Sequence, residues 1–331
     1  MEAERKDNLT TNRRVKSERA NHLGDMATNK SALITRRQAI ACLATLATGT
    51  LLRPASVLGL GSGDSKTRFA VLGDFGTGER DEYAIATQML EVHHRSPLDL
   101  VLAVGDNIYP NGSARYFVKH FEEPFAGLLK EHVKFYAVLG NHDVEEGRND
   151  QLQYPLFNMN GSNYYTLSRG NGLVDFFMLD STNCDVTQVT WVENALRASR
   201  AMWKVAAMHH PIYSSGKKHG SDLRLRKVLE PLFTRYHVQV VFAGHDHVYE
   251  RTKPQQGIQY FVTGAGGKMR RGDINLKSEL RAASYDEDNS FMLIEVDETE
   301  MSFKSISEKG EVVDSGFIRQ KAALGMAAPD A

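Results

Sequence analysis

Cysteine, net charge and long hydrophobic runs are all scarce in this sequence. Only two of the 331 residues are cysteines, Cys42 and Cys184, which excludes a small scaffold held together by disulfides. The formal net charge is −1, made up of +5 in residues 1–60 and −6 in the remainder. A mildly acidic body has no electrostatic reason to bind a polyanion, so we expect no nucleic-acid partner. The hydrophobic content of 41% is enough for a large buried core.

The N-terminal part of the chain has the features of a targeting segment. Residues 1–33 are polar and mixed in charge, which predicts a disordered region. Arg36 and Arg37 then precede a weakly apolar run at 39–52, which is shorter than the roughly 20 residues that a membrane span needs. A basic region before a short apolar region is typical of an export signal, and paired arginines point to the twin-arginine route. An N-terminal helix of the folded domain is the alternative.

We therefore expect residues 1–60 to combine a disordered region with a twin-arginine-type signal peptide. Such a signal implies export to the periplasm or the extracellular space, without stable insertion into a membrane. The folded domain is expected at 66–320, followed by a flexible tail at 321–331.

Apolar strands in the body of the chain end repeatedly in polar residues, most often just after a glycine. The strand ends read GDFG at 73–76, GDNIY at 105–109, GNHD at 140–143, DS at 180–181, HHP at 209–211 and GHDH at 244–247. Amphipathic helical patterns occur at 81–95, 114–125, 187–199 and 222–236. Strands that alternate with helices predict a mainly parallel sheet, buried on both faces, whose ligands bind at the carboxyl ends of the strands.

The last third of the chain changes pattern. Segments at 257–267, 290–307 and 311–319 alternate apolar and polar residues between turns, which is typical of antiparallel strands. These strands predict a second sheet, and two sheets with outer helices form one sandwich domain.

The predicted strand ends together offer a mixed set of oxygen and nitrogen ligands. Its members are Asp74, Asp106, Asn141, His209, His245 and His247. Taken singly, an aspartate there can cap a helix, an asparagine can form a turn, and a histidine can be buried with a satisfied ring. Taken together, carboxylate and amide oxygens suit hard cations and imidazoles suit zinc or iron, so the set predicts a site for two metals.

Five of these strand ends, all except DS at 180–181, resemble in their order the metal-site motifs of the calcineurin-like metallophosphoesterases. Tyr109, three residues after Asp106, makes the chain similar to the purple acid phosphatases, in particular the small tartrate-resistant type. The similarity extends over about 69–266. It implies an α/β fold, a four-layer αββα sandwich of two mixed sheets flanked by helices, with the metal site at the carboxyl-terminal ends of the strands.

The same resemblance implies a role for each site residue. A ferric ion would be held by Asp74, Asp106, Tyr109 and His247. A second divalent metal (iron, zinc or manganese) would share Asp106 and be held also by Asn141, His209 and His245. His142 and His219 would face the substrate, while Asp246 is expected to be structural. The implied function is a binuclear metal-dependent acid phosphatase that hydrolyses small phosphomonoesters by attack of a metal-bound hydroxide, and we expect a monomer.

Two other functions compete with this interpretation. One is a secreted phosphodiesterase of the same superfamily that uses manganese or zinc and has no need of Tyr109. The other is a secreted, non-catalytic binding domain, which would be expected to have lost ligands, and none of the seven positions is lost. Basic and aromatic residues near the site allow either recognition of anionic esters or an ordinary solvated surface: Tyr213, Lys217, Lys218, Arg270 and Arg271.

Overall fold

The computed structural model describes residues 66–320, which form thirteen strands and six α-helices. The strands are β1 (Thr67–Leu72), β2 (Leu100–Ala103), β3 (Phe135–Ala137), β4 (Tyr165–Arg169), β5 (Val174–Met178), β6 (Trp203–Ala207), β7 (Val240–Ala243), β8 (Tyr249–Thr252), β9 (Gln259–Thr263), β10 (Arg281–Tyr285), β11 (Ser290–Val296), β12 (Glu300–Ser307) and β13 (Val312–Arg319). The helices are α1 (Arg80–Arg95), α2 (Ala126–Lys130), α3 (Asp143–Glu146), α4 (Arg148–Gln153), α5 (Val186–Ala198) and α6 (Leu223–Arg235).

The strands form two sheets, and each sheet mixes parallel and antiparallel pairs. The six-stranded sheet has the order β13-β12-β11-β1-β2-β3, with β1, β2 and β3 parallel. The seven-stranded sheet has the order β10-β8-β9-β7-β6-β5-β4, with β5, β6, β7 and β9 parallel.

Alternate residues of β1 reveal the four layers. Phe69 and Val71 belong to the core between the two sheets, whereas Ala70 and Leu72 face the core beneath α1 and α2. The ring of Phe69 meets that of Phe176 on β5 edge to face, with centroids 5.0 Å apart, so the sheets pack directly on each other. A third core joins the outer face of the seven-stranded sheet to α5 and α6. The predicted αββα sandwich of two mixed sheets is therefore confirmed.

Two finer expectations were wrong. The strands do not divide into a parallel sheet and a later antiparallel one, because β11 to β13 join β1 and because β9 runs parallel to β7. Side-chain alternation reports which faces of a strand are buried and carries no information on the sheet it joins. The predicted helix at 114–125 is instead a 3₁₀ turn, Ala114–Tyr116, and a π-helical turn, Val118–Glu122.

The π-helical turn has a local cause. Its neighbouring residues His120 and Phe121 are both buried, and a ring nitrogen of His120 lies 2.9 Å from the main-chain oxygen of Tyr109. Adjacent residues of a regular α-helix point about 100° apart, so widening the turn lets both side chains reach the interior.

The predictions for residues 1–60 and 321–331 fall outside the described residues. The export signal, the tail and the monomeric state stay predictions. Within 66–320, no helix combines the length and the hydropathy of a membrane-spanning segment.

Candidate metal centre

The carboxyl ends of five strands meet at one edge of the sandwich. Asp74 follows β1 and Asp106 follows β2 in the six-stranded sheet, while His245 follows β7 in the seven-stranded sheet. All three residues have left-handed backbone, with φ of 57°, 51° and 71°, which is strained for any residue with a side chain. The residue directly after β7 is Gly244, and a larger residue does not fit because its Cβ would lie 2.5 Å from Asp74 Oδ2. The chain accepts unfavourable backbone to place these side chains.

One donor cluster forms around the phenol of Tyr109. Its Oη lies 2.9 Å from Asp106 Oδ2 and 3.3 Å from both Asp74 Oδ1 and His247 Nε2. His247 Nε2 and Asp74 Oδ1 are themselves 3.3 Å apart. We call these four atoms the first cluster.

A second cluster forms around the imidazole of His209. Its Nε2 lies 3.1 Å from Asn141 Oδ1, 3.2 Å from His245 Nδ1 and 3.4 Å from Asp106 Oδ1. Asp106 thus has one carboxylate oxygen in each cluster. The other ring nitrogen of His209, Nδ1, is 3.0 Å from the main-chain oxygen of Val104.

The chemistry of both clusters fits metal ions. Because His209 Nδ1 donates to a carbonyl oxygen, a neutral His209 presents a lone pair at Nε2, directly opposite the oxygens of Asn141 and Asp106. Ligand atoms about 2.1 Å from one ion and at right angles to each other lie roughly 3 Å apart, which is close to the separations in both clusters. Asp106, with one carboxylate oxygen in each cluster, is the residue that two neighbouring ions could share.

Burial favours the uncharged form of every ligand, which suits the histidines but leaves the carboxylate and the phenol dependent on a nearby cation. It lowers the pKa of His209 well below its usual value and lowers that of His247 to about 4, where the charge of Arg270 adds to the effect. Burial raises the pKa of Asp74, and the charge of Asp106 raises it further. Burial and the same two carboxylates also raise the pKa of Tyr109, so ionisation of this phenol requires a cation beside it.

A cleft of about 100 Å³ opens over the clusters, and His142 and His219 lie on its walls. His142 Nδ1 is 2.6 Å from the main-chain oxygen of Pro110, and its main-chain N–H donates to Asp106 Oδ1 at 3.0 Å. The ring of His219 lies 4.1 Å from that of His245, centre to centre. The structure therefore brings all nine predicted site residues to this cleft or directly beneath it.

Three cationic side chains also line the cleft: Lys218, Lys268 and Arg270. Lys268 Nζ stands 3.9 Å from the ring centre of Tyr109. Lys268 was not predicted from the sequence, although the segment GAGGK follows β9 and a parallel strand next to β7 would have placed it at this edge.

The other basic and aromatic residues considered near the site turn away from it. Tyr213 Oη donates to Glu230 at 2.5 Å. Lys217 Nζ and Arg271 Nη2 each donate to a main-chain oxygen at 2.6 Å. The acceptors are those of Gly272 and Glu287, respectively.

Asp143 joins the two loops that carry Asp106 and Asn141, a role that was not predicted from the sequence. Its carboxylate accepts hydrogen bonds from three main-chain N–H groups and two side-chain amides. The main-chain donors are Asn107, Ile108 and Gly140, and the side-chain donors are Asn107 and Gln151. A fully buried carboxylate with this many partners fixes the backbone on which both ligands stand.

Asp246 has the structural role expected of it. Its Oδ2 accepts from Ser214 Oγ at 2.5 Å and from the Gly220 N–H at 3.1 Å. These bonds tie the loop that carries His219 to the strand end that carries His245.

Comparison with known proteins places the chain among phosphatases. A family model described as "Calcineurin-like phosphoesterase" matches residues 67–249. Purple acid phosphatase 17 of Arabidopsis thaliana is 30% identical over 244 residues, covering 64% of this chain and 72% of the relative. Purple acid phosphatase 3 of the same plant is 28% identical, covering 72% and 74%. Tartrate-resistant acid phosphatase type 5 of Rattus norvegicus is 27% identical, covering 75% and 88%.

Solved structures share the fold at lower identity. A structure described as "GAP50 the anchor in the inner membrane complex of Plasmodium" has a TM-score of 0.68 at 20% identity, covering 77% of this chain and 89% of its own. A purple acid phosphatase from yellow lupin seeds has a TM-score of 0.66 at 18% identity, covering 78% and 55%.

Proposed function

We propose that this chain, which belongs to the calcineurin-like phosphoesterases and among them to the purple acid phosphatases, hydrolyses small phosphate monoesters at a centre of two metal ions. The family model and the curated relatives confirm the family resemblance drawn from the sequence. Membership of that family makes the chain an acid phosphatase. The observation that carries the rest of the proposal is Asp106, whose two carboxylate oxygens lie in different donor clusters.

The first cluster would hold a ferric ion and the second a divalent iron, zinc or manganese ion. Two carboxylates and a phenol with one imidazole favour a hard, highly charged cation, while one carboxylate, an amide and two imidazoles favour a borderline divalent one. Bound there, the two ions would offset the charge of the phosphate dianion and acidify a water molecule.

The protein's own groups would orient the ester and move the proton. His142 Nδ1 is engaged by the Pro110 oxygen, which leaves Nε2 for a phosphate oxygen or for the leaving group. His219 stands beside His245 on another wall of the cleft, at the level of the second cluster. A protonated imidazole at either place would hydrogen-bond the phosphate or protonate the departing alkoxide.

The rival functions have less support. A manganese or zinc phosphodiesterase has no need of the phenol that lies at the centre of the first cluster. A non-catalytic binding domain remains compatible with the fold alone, since a protein described as an anchor shares it. The complete donor set opposes that function, because buried carboxylates and imidazoles facing one another are costly unless they hold cations.

The test combines metal analysis, a visible spectrum and turnover of two matched esters. We expect two metal ions per chain, a purple or pink iron-loaded protein, and faster hydrolysis of p-nitrophenyl phosphate than of bis(p-nitrophenyl) phosphate at acidic or near-neutral pH. A preference for the diester, or a strictly alkaline optimum with iron loaded, would contradict the proposal.

A further inference from the structure

The cleft over the clusters carries more positive charge than one phosphate group needs. Lys218 comes from the loop between β6 and α6, and Lys268 and Arg270 come from the loop between β9 and β10. Arg270 Nη1 lies 3.3 Å from Asp273 Oδ2, while Lys218 takes part in none of the ion pairs within 66–320. Three cations against one carboxylate leave an excess of about +2 at the cleft.

This excess is additional to the charge of the metal centre. Two ions held by the two carboxylates, with the phenol ionised if one ion is trivalent, leave a net charge of about +2. A phosphate dianion is enough to offset that charge. The excess positive charge of the cleft is therefore available to another part of the substrate.

The shape of the surface gives that part a place. The cleft of about 100 Å³ adjoins a larger cavity of about 310 Å³. The two share Lys218, His219 and His245, so a substrate whose second anionic group stays in the cleft near Lys218 and Arg270 has room for its remaining atoms in the larger cavity.

We infer that the preferred substrates are phosphate monoesters whose leaving group carries a second anionic group, a carboxylate or a second phosphate, bound by Lys218 and Arg270. This inference rests on the proposed phosphatase function. Lys268 is directed at the Tyr109 ring and contributes to the general field of the cleft.

Matched non-hydrolysable phosphonates test the inference by binding alone. Calorimetry on the metal-loaded protein compares benzylphosphonate with its 3-carboxy and 4-carboxy derivatives, and a p-xylylene bisphosphonate distinguishes a second phosphate from a carboxylate. We expect at least one doubly anionic ligand to bind roughly 3–10-fold tighter than benzylphosphonate at low salt, and the preference to shrink as salt is added.

The chain supplies its own control variants, because each proposed cation has a neighbour of the same type that turns away. Lys218→Met and Arg270→Gln should each reduce the preference for the second anion. Lys217→Met and Arg271→Gln should preserve it, since these side chains bond to main-chain oxygens outside the cleft.

Turnover of phenyl phosphate and 4-carboxyphenyl phosphate separates failure of the inference from failure of the function. If phenyl phosphate is hydrolysed but no doubly anionic ligand is preferred, the inference is overturned and the phosphatase stands. Equal weakening of both ligand types by Lys218→Met and Arg270→Gln also overturns it, because the cations would then serve the transferred phosphate. If no monoester is hydrolysed, the proposed function itself fails.

Discussion

The first and second clusters share a carboxylate and nearly the same spacing, yet they differ in charge. Besides Asp106, the first has a carboxylate, an ionisable phenol and one imidazole, from Asp74, Tyr109 and His247, whereas the second has a neutral amide and two imidazoles. Donor separations are 2.9–3.3 Å in the first and 3.1–3.4 Å in the second. Since the geometry is so similar, the proposed selection of a trivalent ion on one side and a divalent ion on the other would depend on ligand type.

The largest effect is expected where the clusters join. Asp106→Ala removes an oxygen from each, so both ions should be lost and kcat/KM should fall by at least about a thousandfold. Metal analysis and circular dichroism measure occupancy and folding. Asp106→Asn, which tolerates the left-handed backbone and keeps one carbonyl oxygen, should retain part of the metal. Full occupancy of both sites in Asp106→Ala protein would refute the shared role.

A smaller effect is expected from His245→Ala, which changes the second cluster and leaves the first intact. His245→Ala keeps a Cβ, and so the same backbone strain, but withdraws a ligand from the second cluster alone. We expect loss of the divalent metal, retention of iron and colour, and at least about a hundredfold lower activity.

His247→Ala is the matched control for that separation, because it withdraws an imidazole from the first cluster. Iron and colour should be lost there. The two-cluster assignment fails if both histidine variants lose the same metal.

The smallest structural effect, and the sharpest spectroscopic one, is expected at Tyr109. Tyr109→Phe keeps the ring and its packing, so the free energy of unfolding measured in denaturant should fall by only about 0.5–1.5 kcal/mol. The charge-transfer band of a phenolate on ferric iron should vanish, because the oxygen is gone. If iron-loaded Tyr109→Phe protein keeps its visible band, the phenol of Tyr109 is not an iron ligand and serves only in packing.

Sequence and structure agree where the chemistry is local to a strand end. Asp74, Asp106 and His245 each follow an apolar run directly, and parallel strands deliver such residues to one edge. The amphipathic patterns likewise predicted the helices α1, α5 and α6 to within a residue or two at each end.

Long-range pairing was the part that sequence did not reveal. Lys268 was missed because β9 resembles an antiparallel strand until its partner β7 is known. The linking role of Asp143 was missed because two of its partners, Asn107 and Ile108, lie on a loop some 35 residues earlier in the chain. Neither partner leaves a periodic signal in the local sequence.

The left-handed backbone at Asp74, Asp106 and His245 has a consequence for the life of the protein in the cell. Strain at each position, together with buried donors that face one another, raises the free energy of the folded chain before metal enters. Ligands that bind only the folded state offset this by mass action, so the lifetime of the chain is linked to metal supply. If the two clusters hold metal as proposed, a chain folded in a metal-poor compartment would be nearer to unfolding and to proteolysis.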